Sequence, residues 1–246
     1  MSHPFETRHE VEVGATPDQV WDALTSGPKI DSWFMGRNTV EPRVGGSASI
    51  EHAAFTLTST VTAWEPPTHL AFESPKADDG AFHVFDYTVE PRDGGSEIRW
   101  VHSGALGPDW EAEYEGMSEG DPLYFHKLAT YLTYFFPRAA TPIDAFGPRL
   151  EGREPSWEVF REPLKLEGPA DVDDAVQLRP DGLDPIDGIV DWRSKSFLAV
   201  RNDDALYVFI HAFDGSAMVG HHLFGRGVDR PATESVWQDW LTREFS

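Results

Sequence analysis

The sequence predicts an α+β protein in which a curved antiparallel sheet wraps a long helix, with a second, smaller α+β region after it. Three observations carry this expectation. Between residues 5 and 103, six or seven short segments alternate apolar and polar side chains and are joined by tight-turn sequences, the mark of an antiparallel meander. Over residues 124–135, Tyr124, Leu128, Tyr131, Leu132 and Phe135 recur at three- and four-residue steps, giving one continuous apolar stripe on a helix. Beyond residue 156 the order of strand, short helix, strands and last helix partly repeats, so the second region reads either as a degenerate repeat of the first or as an appended sheet.

The elements follow in order. Residues 5–13 read as a strand, with Val11 and Val13 alternating against Glu10 and Glu12. Thr16-Pro17-Asp18-Gln19 then forms a capping box: Thr16 caps a helix, Pro17 suits its first position, and Gln19 reaches back to the cap. Val20, Trp21 and Leu24 share one face of this helix, which Gly27-Pro28 ends, and a short second helix is expected over 29–34. Strands are expected at 38–42, 48–52, 55–64, 69–73, 83–90 and 97–103, with Gly45-Gly46, Pro66-Pro67 and Asp93-Gly94-Gly95 at the turns. Residues 104–119, interrupted by Gly104, Gly107, Pro108 and Gly116, are expected to be irregular. The long helix should start at Asp121-Pro122 and be closed by Pro137 and Pro142.

These boundaries give a domain over 1–138, a linker rich in Pro, Gly and Ala over 139–155, and a C-terminal α+β domain over 156–246. In the last, 158–166 is expected as a strand and 170–178 as a short helix. Further strands are expected at 188–192, 196–201, 205–212 and 217–224, turning at Asn202-Asp203-Asp204 and Asp214-Gly215. Residues 233–245 should form a final helix with Val236, Trp237, Trp240 and Leu241 on one face.

Composition excludes several function classes. With 42 Asp+Glu against 20 Lys+Arg the net charge is −22, so there is no basic footprint for nucleic acid and no attraction to anionic membranes. The acidity reads as solubility or adaptation to a salty cell interior, or as a docking surface for a basic partner. Cysteine is absent, which removes disulfides, thiolate metal sites and a cysteine nucleophile and fits a reducing cytoplasm. No apolar run approaches the roughly 18 residues of a membrane-spanning helix. The opening Met1-Ser2-His3-Pro4-Phe5-Glu6 lacks the basic and apolar regions of a signal peptide, so a cytoplasmic location is expected.

The segment Phe5-Glu6-Thr7-Arg8-His9-Glu10-Val11-Glu12-Val13, followed by Ala15-Thr16-Pro17-Asp18-Gln19-Val20-Trp21-Asp22-Ala23-Leu24, resembles the start of an SRPBCC (START-like) domain. Within that superfamily it is most similar to the homologues of the activator of heat-shock-protein ATPase. Trp33-Phe34 after the first helix, the turn Val44-Gly45-Gly46, Trp64-Glu65-Pro66-Pro67 at a strand end and His102-Ser103-Gly104 match that group in order. The resemblance covers residues 5–136. It implies a helix-grip fold enclosing an apolar ligand cavity, and it implies no particular reaction. One departure concerns the last helix, where the group has Gly-Trp and this chain has Gly120-Asp121-Pro122-Leu123-Tyr124, leaving Tyr124 or Phe125 as the aromatic plug.

Alternation puts Ile98, Trp100 and His102 on the inner face of one strand, and His83, Phe85, Tyr87 and Val89 on one face of the strand before it. The candidate ligand-binding residues are Trp33, Phe34, Phe55, Phe72, His83, Phe85, Tyr87, Trp100, His102, Tyr124, Leu128 and Tyr131, with Leu57 beside them. Apolar walls supply affinity at about 25 cal/mol per Å2 buried, and a few polar groups fix orientation. Trp33-Phe34 reads as a lid over the entrance or as a protein-binding anchor. His83, His102 and Tyr87 could act as acid or base. The histidines could equally be hydrogen-bonded core residues, and Tyr87, Tyr124 and Tyr131 core packing.

Other features carry less chemistry. His221 and His222 are adjacent on a strand, so they face opposite sides and cannot hold one ion together. Without cysteine or a His-Glu-x-x-His helix, no metal is expected, and no cofactor. Asp78-Asp79, Asp173-Asp174 and Asp203-Asp204 read as solvated turn charge. No Gly-x-Ser-x-Gly elbow, phosphate loop or dinucleotide fingerprint occurs. Three functions remain open: binding of a hydrophobic or aromatic small molecule, a cyclase- or hydrolase-type enzyme using a cavity histidine, and a chaperone-associated partner-binding module.

Overall fold

A computed structural model describes residues 2–52 and 55–246, which divide into two compact units, Met1–Ala139 and Ala140–Ser246. The first unit runs β1 (His3–Val13), α1 (Pro17–Thr25), α2 (Gly27–Ile30), β2 (Arg37–Val40), β3 (Ser47–His52), β4 (Phe55–Glu65), β5 (His69–Glu73), β6 (Phe82–Arg92), β7 (Gly95–Leu106) and α3 (Trp110–Thr130), which continues as a π-helical turn, Tyr131–Phe135. Its strands form one antiparallel sheet in the order β1-β7-β6-β5-β4-β3-β2. This is a meander from β2 to β7 whose last strand closes on β1, and α3 completes the helix-grip fold.

Local chemistry explains the junctions. The capping box forms as the sequence indicates: Thr16 N–H donates to Gln19 Oε1 at 2.9 Å, and Thr16 Oγ1 accepts from Gln19 N–H at 3.4 Å. Gly95 opens β7 because a Cβ there would stand 1.9 Å from the Val13 carbonyl oxygen. The inner face of α3 buries Leu123, Phe125 and Leu128 and continues into Tyr131 and Phe135.

One expectation in this unit is corrected. Residues 104–119 are not irregular: β7 continues to Leu106, and α3 starts at Trp110, passing through Gly116, Gly120 and Pro122. No side chain from 110 to 120 is buried. The first half of the helix therefore lacks the apolar stripe that marks a helix in sequence, and it propagates from the packed half.

The second unit runs β8 (Thr141–Arg149), a 3-10 turn at Trp157–Phe160, β9 (Ala175–Leu178), β10 (Ile186–Arg193), β11 (Phe197–Asn202), β12 (Ala205–His211), β13 (Ser216–Leu223) and α4 (Arg230–Phe245). The strand order is β8-β13-β12-β11-β10-β9. The connectivity repeats that of the first unit: the first strand pairs with the last, a meander lies between, and a helix closes the chain. Its core includes Phe160, Phe209, Trp237, Trp240 and Leu241.

Three expectations here are corrected. The 139–155 stretch is not a linker, because Thr141–Arg149 is β8. Pro142 and Pro148 lie within it, and β8 is an edge strand, where a missing ladder donor is tolerated. Helix α4 covers that edge: Gln238 accepts from Phe146 N–H at 3.1 Å and donates back to the Phe146 carbonyl. Residues 158–166 are not a strand, since Trp157, Phe160, Leu164 and Leu166 are buried along a tight series of turns. Residues 170–178 are not a helix. They end in β9, where Val176 and Leu178 alternate inward and pair with Gly188 and Ile186.

Candidate functional site

An apolar cavity lies in the first unit between the α1–α2 segment and strands β2–β6. Its volume is about 60 Å3. Leu24, Ile30, Trp33 and Phe34 cover one side, and Val40, Ile50, Leu57, Phe72, Phe85 and Tyr87 form the floor and walls. Asn38, Thr39, Ser49 and Ser59 add the polar groups. The cover is held in place by its own bonds. Trp33 Nε1–H donates to the Ala23 carbonyl at 3.0 Å, and Asn38 donates from its side chain to Asp31 Oδ1 and the Met35 carbonyl, each at 3.0 Å. Phe34 links the cover to α3 through a ring contact with Tyr124, centroids 4.9 Å apart.

Beside the cavity, a line of polar groups joins the sheet to α3. His102 Nδ1 and Asp121 Oδ2 are 2.8 Å apart, and His83 Nδ1 and His102 Nε2 are 3.1 Å apart. Thr7 Oγ1 donates to the same Asp121 oxygen at 2.8 Å. At the outer end, His83 Nε2 stands 3.6 Å from Glu113 Oε1. A carboxylate only accepts, so the short contact to Asp121 takes an N–H from His102 Nδ1, and the His83–His102 contact takes one N–H from either ring. The longest of the three links is the one to Glu113, which a proton on His83 Nε2 would close.

Burial opposes that proton. Desolvation, followed by the neighbouring His102, lowers the His83 pKa to about 4, and the Asp121 charge works the other way. His9, whose ring lies 5.8 Å from that of Phe125, is also lowered, mainly by burial.

Residues 14–133 match the family model described as Activator of Hsp90 ATPase homolog 1-like protein. The N-terminal unit is an AHSA1-like domain. This agrees with the resemblance carried by residues 5–136, and the match takes in the whole cavity lining. Residues 140–246 lie outside it. A search of curated proteins gives no match. Among solved structures, the AHSA1-like domain is similar to protein MLL2253 from Mesorhizobium loti, at 28% identity over 52% of this chain and 96% of that one, TM-score 0.47. It is similar also to the Aha1 dimer from Colwellia psychrerythraea, at 16% identity over 52% and 96%, TM-score 0.44. A third is CalU16 from Micromonospora echinospora, at 16% identity over 52% and 77%, TM-score 0.40. Among the described residues, no helix is long and apolar enough to cross a membrane, and no group of three or more His, Asp or Glu could hold a metal ion.

The AHSA1-like domain separates the twelve candidate residues. Trp33, Phe34, Phe72, Phe85 and Tyr87 line the cavity. Trp100, Leu128 and Tyr131 are buried fillers that do not reach it. Trp100 stacks on Tyr87 at 5.6 Å, and the Tyr131 hydroxyl donates to the Arg138 carbonyl at 2.9 Å. Burial pushes Tyr131 up to about 12 and Tyr87 higher still, so both remain neutral hydroxyls. Tyr124 touches the cavity only through Phe34. His83 and His102 belong to the polar line, where Phe85 stacks on His102 at 4.3 Å from the cavity side. Phe55 is exposed at the first residue of β4 and rests on His52 at 5.0 Å, while the lining begins two residues later at Leu57.

Residues the sequence did not flag include Asp121, whose Asp-Pro context reads as a helix start, and Glu113, which lies in the stretch read as irregular. His221 and His222 are both buried at adjacent positions of β13.

Proposed function

We propose that the AHSA1-like domain binds a small apolar or single-ring molecule in the cavity beneath Trp33 and Phe34. The observation that carries this is the lining: eleven apolar or aromatic side chains, Ala48 of β3 among them, line the space and a few hydroxyl and amide groups stand beside them. A volume of about 60 Å3 is well under the roughly 150 Å3 of a cavity that holds benzene, so a short chain fits as it stands and a ring enters only as Phe34 moves aside. Burying about 150 Å2 of such a molecule supplies about 4 kcal/mol. That corresponds to a Kd near millimolar from the apolar part alone, tighter with a hydrogen bond at Ser59 or Asn38.

The test is ligand-detected NMR with single-ring fragments on the full chain, repeated with Ala48→Leu, which fills the space from β3. Binding in the native chain that is lost in Ala48→Leu is the expected result. Fragments that bind both equally, or neither, would refute the proposal.

The histidines favour no cavity enzyme, because Phe85 stands between His102 and the empty space. A chaperone-associated role is a second reading, favoured by the family match and by the net charge of −22. It predicts capture of a chaperone that weakens as salt rises, and capture that fails at low salt would remove it.

A further inference from the structure

The C-terminal unit carries a second concavity, of about 460 Å3, between the β9–β10 loop, the start of α4 and strands β12 and β13. Leu183, Ile186, Leu223, Val228 and Trp237 give it an apolar lining. Val236 lines it from α4 and keeps 46% of its surface exposed. Tyr207 and Trp237 are the aromatic residues of the lining. His221, fully buried and outside the lining, meets Tyr207 at 5.2 Å and Trp237 at 4.5 Å, each edge-on, and its Nδ1 accepts from Val208 N–H at 2.9 Å.

One charged side chain lines the space, Asp184. Its neighbours in sequence are neutralised: Asp181 pairs with Lys165, and Asp187 pairs with Arg179 at 2.7 Å. Asp184 makes no ion pair or side-chain hydrogen bond among the described residues. Burial raises the pKa of the Tyr207 hydroxyl, and the charges of Asp184 and Asp204 add to it. The space thus combines apolar side chains, two aromatic residues and one solvent-exposed carboxylate. Among the described residues no cation lines it, the Arg243 guanidinium lying at its margin beside Gly182.

From this combination we propose that the C-terminal pocket binds an organic cation, an amine or quaternary ammonium with an apolar or aromatic body, its charge at Asp184 and its body against Val236 and Trp237. Asp184 attracts a cation by charge, and Tyr207 and Trp237 in the same lining add a cation–π attraction that a neutral body lacks. A neutral ligand would gain only the walls. An anion would meet Asp184 and the overall charge of −22. The site is separate from the AHSA1-like cavity and does not depend on it.

The probe is benzyltrimethylammonium, with neopentylbenzene as its neutral isostere, titrated into the full chain and read by methyl NMR shifts of Leu223, Val228 and Val236. The cation is expected to bind more tightly than its isostere. Asp184→Asn should weaken it about fivefold, while Asp78→Asn, the same charge change on an exposed turn of the other unit, leaves it unchanged. Val236→Lys, at an exposed position, should abolish it. Equal affinity for the isostere, equal loss in Asp184→Asn and Asp78→Asn, or shifts confined to other methyls would overturn the proposal. So would the absence of any shift in the native chain.

Discussion

Acidification should destabilise the AHSA1-like domain through His83. The ring is buried as the neutral form, with its pKa lowered from 6.5 to about 4, first by desolvation and then by His102. Between those two values the unfolded chain binds a proton that the folded chain does not. Stability therefore rises with pH across this window, is complete above pH 6.5, and is lost as the pH falls toward 4. A shift of this size corresponds to about 3.4 kcal/mol at 1.36 kcal/mol per unit. The side chain keeps 24% of its surface exposed, so solvent screening reduces this to about 1–2 kcal/mol. Urea unfolding of the native chain and of His83→Gln, compared between pH 7 and pH 4, isolates the contribution from the many carboxylates that titrate in the same range. The native chain should lose that amount more than His83→Gln, and the His83 ring resonance should titrate well below 6.5. Parallel stability curves, or a ring that titrates at or above 6.5, would refute the reasoning and would mean that Glu113, 3.6 Å away, governs the protonation.

Three further outcomes follow from local geometry. Gly104 has φ +148 and a Cβ there would stand 2.0 Å from the Phe82 carbonyl oxygen, so Gly104→Ala should cost about 3 kcal/mol or more by chemical denaturation; a neutral effect would contradict the β6–β7 pairing at this point. Thr16→Ala removes the helix-capping acceptor of α1 and should cost about 1 kcal/mol, measured in the same way, and no loss would mean that the cap is not formed in solution. Amides of residues 112–120 should exchange with deuterium far faster than those of 124–132, because the first half of α3 buries no side chain while the second half packs in the core; equal protection would show an anchor that the contacts at Glu113 and Asp121 do not supply.

The sheets were largely legible in the sequence because alternation and turn chemistry are local signals. The β6–β7 hairpin is an example: Asp93-Gly94-Gly95 marks its turn, and inward positions Ile98, Trp100 and His102 are all buried. Strand β8 was hidden by Pro142 and Pro148, since tolerance of proline depends on lying at a sheet edge, a property of the assembled sheet. The first half of α3 was hidden for a different reason, having no apolar period to read.

The candidate site was legible only in part. Inward direction can be read from period two, but whether an inward side chain lines a space or fills it depends on what the opposite layer places there. Phe85 and Tyr87 line the cavity, whereas Trp100, directly across from Tyr87 in the sheet, is solid core. The polar line was half visible as His83 and His102. Its helix partners Asp121 and Glu113 could be assigned only once the register of α3 against β6 and β7 was known.

The most direct test of the central claim is a crystal of the full chain exposed to xenon or soaked with a single-ring fragment. Ordered density between Phe34, Leu57, Phe72 and Phe85 is the expected result, and its disappearance in Ala48→Leu should accompany it. A cavity that stays empty at saturating fragment, with density only at surface sites, would contradict ligand binding by the AHSA1-like domain.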